Sequence, residues 1–282
     1  GAVLVGAVLS VALEPLLGWA NSGGPRAAHS LLLSGLAVCG ACAAVIALQY
    51  ALTGLEVLSR VGKRLNLQRK VQHILSGVAI VLLYRIISLR SSQLALAASV
   101  VAFALLQTLR SWNQEVNRQF LVLFGPMLKE EERQAGTTPA ALHFLAGCLF
   151  CTLAFPRRLT TLCVLSATFA DPAAAIGGLL LGGPRLLGNK TLGGAAACFA
   201  VGVALGAVLL LAEGAQLTAG KQIAACVACG LSAAVSEVVG GVWWCLDDNF
   251  TTSVGTGFLL HGANAALGAG GWRDTGLEPL LA

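Results

Sequence analysis

Long apolar runs separated by short polar or Gly/Pro-containing links recur along the whole 282-residue chain. A helix needs about 20 apolar residues to cross the hydrocarbon core of a bilayer. Nine runs approach that length: residues 2–19, 29–52, 71–89, 92–110, 139–155, 159–181, 192–212, 222–246 and 251–270. They do not alternate apolar with polar positions as barrel strands do, and backbone inside a bilayer must satisfy its own hydrogen bonds, so the pattern predicts helices. The expected fold is all-α, a polytopic transmembrane helical bundle of about seven to nine spanning helices, making a single integral membrane domain over residues 1–282. Residues 2–19 contain Glu14 and lack a basic leader, which favours a spanning helix over a signal peptide.

Composition agrees with that pattern. Hydrophobic residues make up 56% of the chain and charged residues 11%, against roughly 25% charge in a soluble domain. Mean hydropathy is +0.79 and is spread too evenly for a soluble protein carrying one anchor. If all nine runs cross, the links after the second, fourth, sixth and eighth face one compartment. They hold Arg60, Lys63, Arg64, Arg69, Lys70, Arg110, Arg118, Lys129, Arg133, Arg185 and Lys190, eleven of the eighteen Lys and Arg residues. The positive-inside rule makes that side cytosolic, or stromal in a plastid membrane. Nucleic acid is not an expected partner, and oligomeric state is not legible.

Nine cysteines include the C-x-x-C pairs Cys39/Cys42, Cys148/Cys151 and Cys226/Cys229. Each pair lies in an Ala/Leu/Val-rich run where a desolvated thiolate is costly, so packing residues are expected rather than zinc or redox chemistry. Gly202 and Gly206 form a G-x-x-x-G that is likewise read as a close helix contact.

The chemistry begins with acids where hydropathy disfavours them. Asp171 lies in the sixth run and Glu237 in the eighth, and a carboxylate at such depth costs about 2.5–3.5 kcal/mol on insertion scales unless it faces a cavity or partner. Glu14 and Glu56 sit near run ends and are read as structural. Pro172, next to Asp171, is expected to break or kink its helix and set the acid at a discontinuity. The stretch Gly182–Gly194 nearly spells a Walker A loop, but Asn189 separates Gly188 from Lys190 and a membrane helix rather than a strand precedes it, so a P-loop fold is rejected. Exposed glycine amides, Lys190 and Thr191 at the head of a helix still suit a phosphate. Asp247, Asp248 and Asn249 offer hard oxygen ligands suited to Mg²⁺. Arg69 and His73 share a helix face at the entry to the third run, beside Lys70. Glu130, Glu131 and Glu132 are read as a solvated loop face.

The ordered set resembles the CTP-dependent lipid-alcohol kinases, which include dolichol kinases, phytol and farnesol kinases and the CTP-using diacylglycerol kinase. The matching pieces are Arg69-Lys70-x-x-His73 with Ile74-Leu75-Ser76-Gly77, Ala170-Asp171-Pro172-Ala173-Ala174-x-x-Gly177, Lys190-Thr191-x-x-Gly194, Glu237, and Leu246-Asp247-Asp248-Asn249. They cover residues 69–260, about two thirds of the chain, with residues 1–68 as additional membrane helices and a basic link. Two positions depart from the common pattern: Ala170 stands where Gly often precedes the aspartate, and Gly193 where many members carry Glu.

The resemblance implies transfer of the γ-phosphoryl group of CTP to the hydroxyl of dolichol, phytol, farnesol or diacylglycerol, with Mg²⁺, in the endoplasmic reticulum or plastid envelope. Asp171 and Asp248 are then expected to hold Mg²⁺, with Asp247 and Glu237 in support. Lys190, Arg69 and Lys70 are expected to offset triphosphate charge, with His73, Thr191, Gly194 and Asn249 as further nucleotide contacts. Either Asp171 or Glu237 can accept the alcohol proton. Two other readings stand beside this one: a cytidylyltransferase that makes a CDP-lipid, and an ion-coupled transporter in which Asp171 and Glu237 bind the ion.

Overall fold

The computed structural model describes residues 67–125, 128–212, 217–240 and 247–266, with six isolated helical positions between 36 and 48. The expected runs 2–19 and 29–52 therefore lie outside the described residues, those six positions apart, as do Cys39 and Cys42. The described residues are predominantly helical: α1 (Leu67–Ile86), α2 (Leu89–Trp112), α3 (Gln114–Phe124), α4 (Ala140–Ala154), α5 (Arg157–Leu180), α6 (Leu192–Ala212), α7 (Ala219–Gly240) and α8 (Asp248–Ala266). A two-stranded antiparallel ribbon, β1 (Arg185–Leu187) with β2 (Lys190–Thr191), stands between α5 and α6 where the sequence suggested only a Gly-rich link.

Four of these helices, α2, α5, α6 and α7, are long and apolar enough to cross a membrane, and α4 is a shorter apolar helix. That set is what an integral membrane protein requires. The helices at the expected runs 71–89 and 251–270, α1 and α8, are not among the four. Their sequences carry more polar groups, Arg69, Lys70 and His73 in the one and Asp248, Asn249 and several hydroxyls in the other.

The described residues fall into two compact units that divide inside α4, after Leu149. In the first unit, Ser88 caps α2 by accepting from the Ser91 amide at 3.1 Å. Asn113 ends α2 and starts α3, its Oδ1 accepting from the Glu115 and Val116 amides at 2.9 and 3.3 Å. The polar centre of this unit is Arg110, which is fully buried. Its guanidinium donates to the Glu132 carbonyl at 2.8 Å and to Asn117 Oδ1 at 3.1 Å, and lies 4.2 Å from the centre of the Phe120 ring.

Glu132 corrects the solvated-face reading of the three glutamates, for it is 95% buried, with 5% relative exposure. Its two carboxylate oxygens accept from the Lys129 and Ala140 amides, each at 2.9 Å, so it closes the loop and satisfies an orphan donor at the start of α4. Glu132→Ala is expected to lower stability by about 1–3 kcal/mol, read as a fall in thermal midpoint in micelles. An unchanged midpoint would mean that water replaces both bonds.

The second unit is a set of tightly packed helices, α6 between α5 and α7, with α8 against α7 and α5. Its core gathers Cys151, Phe155, Leu159, Leu162, Cys163, Leu209, Leu210, Cys229 and Leu260. The closest approaches use glycine. A Cβ at Gly202 would fall 2.8 Å from Gly230 Cα, and one at Gly206 would fall 3.0 Å from Cys229 Sγ. The G-x-x-x-G is thus a packing seam, and Cys226 and Cys229 on the facing helix carry thiols rather than a disulfide. Contrary to expectation, α5 runs through Pro172 as one helix from Arg157 to Leu180. Proline removes a single backbone donor, and the neighbouring helices keep the rest of the segment packed.

Candidate functional site

The site is built wholly within the second unit. Arg69, Lys70 and His73 belong to α1 in the first unit, where Lys70 is buried and the His73 ring lies 4.6 Å from that of Phe144.

Four elements deliver the charged groups. Asp171 comes from α5, nine residues before its end, and Glu237 from the last turn of α7. Asp248 is the first residue of α8, where a negative charge is favoured by the helix dipole. Lys190 is brought in by the ribbon. Gly188, at φ 56°, takes the left-handed conformation that a two-residue hairpin needs, and its pairing sets Lys190 opposite Leu187.

Glycines let the ribbon and α6 settle close to α5. A Cβ on Gly194 would fall 2.7 Å from the Ala174 carbonyl oxygen, and one on Gly193 would fall 2.7 Å from that of Gly182. At Gly193 the backbone of the incoming link thus occupies the space any side chain would need.

Carboxylate oxygens of Asp171, Glu237 and Asp248 lie within 4.8 Å of one another. Lys190 Nζ donates to Glu237 Oε1 at 2.6 Å and to Asp248 Oδ2 at 2.7 Å. Thr252 Oγ1 donates to the other oxygen, Glu237 Oε2, at 3.1 Å. Glu237 is 3% exposed and Asp248 36%, while Asp171 is partly exposed, so the cluster grades from buried to open. Hard oxygen donors at this spacing fit a divalent cation that retains some of its waters, and one ammonium against three carboxylates leaves the cluster short of positive charge.

Burial acts to lower the pKa of Lys190, but the adjacent Glu237 and Asp248 outweigh it and hold the value above that of an ordinary lysine. A raised lysine pKa means that the cation's contribution is complete below the ordinary value of about 10.4 and is lost only as pH climbs past the raised one. The difference in thermal midpoint between wild type and Lys190→Met is therefore expected not to shrink from roughly pH 7 to 10. A difference that faded by pH 9 would contradict the pairing.

The remaining expected site residues have structural partners. Asp247 Oδ1 accepts from the Asn249 amide at 3.0 Å and from Asn249 Nδ2 at 2.6 Å, and its carbonyl takes the Thr251 amide, so it caps α8. Asn249 is buried beside it. Thr191 Oγ1 accepts from the Gly194 amide at 3.3 Å, while the Leu192 and Gly193 amides donate to the Pro184 and Gly182 carbonyls. The first three amides of α6 are thus already bonded within the protein, and a phosphate at that helix start would have to displace them.

Thr252 was missed by sequence reasoning. The signal was available, since a hydroxyl four residues after Asp248 shares its helix face. No protein-family model, curated protein or solved structure matches this chain.

Proposed function

We propose that this protein is a membrane-embedded kinase that transfers the γ-phosphoryl group of CTP to the hydroxyl of a lipid alcohol, a polyprenol such as dolichol, phytol or farnesol, or diacylglycerol. The observation that carries the reading is the meeting of Asp171, Glu237 and Asp248 with Lys190. Donor class and acceptor class come from the resemblance of the motifs to CTP-dependent lipid kinases; the charge cluster supports a metal-triphosphate site independently of it.

Phosphoryl transfer leaves a protein little covalent chemistry to do, so positioning and charge dominate. Mg²⁺, when bound, would supply positive charge against the negative charge of the phosphate oxygens. Asp171 and Asp248, the two more open carboxylates, are the residues to hold it, and the Lys190 ammonium complements triphosphate oxygens. A bond forms between the lipid oxygen and the γ-phosphorus as the bond from that phosphorus to the CDP oxygen breaks, and the hydroxyl proton passes to a site carboxylate. Around this centre we assign about seven to nine spanning helices, in the endoplasmic reticulum or plastid envelope, with the site toward cytosol or stroma.

Purified protein in proteoliposomes with Mg²⁺, CTP labelled at either the γ or the α position and a panel of phytol, farnesol, dolichol and diacylglycerol tests the reading. Label in the lipid product supports it. Label transferred only from the α position identifies a cytidylyltransferase, and transfer from neither position sinks both.

A further inference from the structure

The three carboxylates of the cluster are not equivalent. Both oxygens of Glu237 are engaged, Oε1 by Lys190 and Oε2 by Thr252. Thr252 is itself fully buried, and its place opposite Glu237 is fixed by the close α7–α8 contact, where a Cβ on Gly255 would fall 2.8 Å from Ser236 Oγ. Asp248 shares one oxygen with Lys190 and remains partly open. Asp171 is partly exposed, and no hydrogen bond to its carboxylate is found among the described residues.

We infer that Thr252 and Glu237 are positioning residues that aim Lys190, leaving Asp171 and Asp248 as the carboxylates that meet a metal ion. The chain runs Thr252 hydroxyl to Glu237 carboxylate to Lys190 ammonium to Asp248 carboxylate. A buried carboxylate that accepts a hydrogen bond at each oxygen has less accepting capacity left for a ligand than its open neighbours, and it orients the donors it holds. Without the Thr252 hydroxyl, Glu237 Oε2 is a buried acceptor lacking its partner, and the side chain turns to recover one. Lys190 then loses its fixed direction.

Two measurements on the full-length protein in nanodiscs test this, and only the second rests on the kinase reading. The first follows free Mn²⁺ by electron paramagnetic resonance. Asp171→Asn and Asp248→Asn are each expected to weaken binding by at least about thirtyfold, and Glu237→Gln by no more than about threefold. The second compares kinetic constants: Thr252→Val is expected to raise KM for CTP by about tenfold with a smaller change in kcat, and Thr252→Ser to restore it. The inference is overturned if wild type binds no Mn²⁺, if Glu237→Gln abolishes binding as the aspartate variants do, or if Thr252→Val keeps the wild-type KM. Selective Mn²⁺ binding without any transfer would sink the kinase reading and leave the division of roles standing.

Discussion

Asp171→Asn and Asp248→Asn are each expected to cut phosphoryl transfer by at least about a hundredfold, with helix content and membrane insertion unchanged. The substitutions conserve shape and remove one negative oxygen donor each, at positions that are partly open. No apolar contact is lost, and Lys190 keeps its bond to Glu237 in both variants. The measurement is label in the lipid product at matched protein levels in proteoliposomes, with resistance to alkaline extraction as the insertion control. Full transfer in either variant would remove that aspartate from the reaction.

Lys190→Met is expected to cost about 3–5 kcal/mol of stability as well as activity. The methionine fills a similar volume but leaves Glu237, 3% exposed, facing Asp171 and Asp248 without the ammonium that joins it to Asp248. Most of the loss comes from leaving the buried Glu237 carboxyl beside two others without its donor. Adding Glu237→Gln should therefore recover a large part of it, and the double-mutant cycle should give a coupling of about 1–3 kcal/mol. The check is reversible unfolding in mixed micelles. Additive losses would show that the two side chains do not depend on each other.

The helices were the most legible part of the fold. Run 192–212 coincides with α6, and runs 159–181 and 92–110 fall within a few residues of α5 and α2, because an unbroken apolar stretch leaves helix as the only backbone that satisfies itself in a bilayer. Short polar segments were less legible. The amphipathic α3 reads as a link, since Gln114–Phe124 has no long apolar run to announce it. The ribbon reads as a turn, because its strands pair over only a few residues around Gly188. Glu132 reads as solvated because its partners, two backbone amides, have no signature in the sequence.

Within the site, intramembrane acids were recognisable from their cost alone, which pointed to Asp171 and Glu237 before any geometry was known. Lys190 and Asp248 stood out beside glycines and a second acid. The pattern did not say who pairs with whom. That both Glu237 oxygens accept hydrogen bonds, from Lys190 and Thr252, while none to Asp171 is found among the described residues depends on side-chain directions, and these are properties of packing rather than of spacing.

Lys190 lies just before α6 and Glu237 near the end of α7, and these two helices touch through the Gly202 and Gly230 backbones about two to three turns away. The seam acts as a fulcrum. A methyl group added there would wedge the helices apart at a point that touches no charge, and the rigid rods would carry the displacement to their ends, where a few tenths of an ångström separates a hydrogen bond from a gap. The tuning of the charged centre is thus written partly into residues that have no side chain at all.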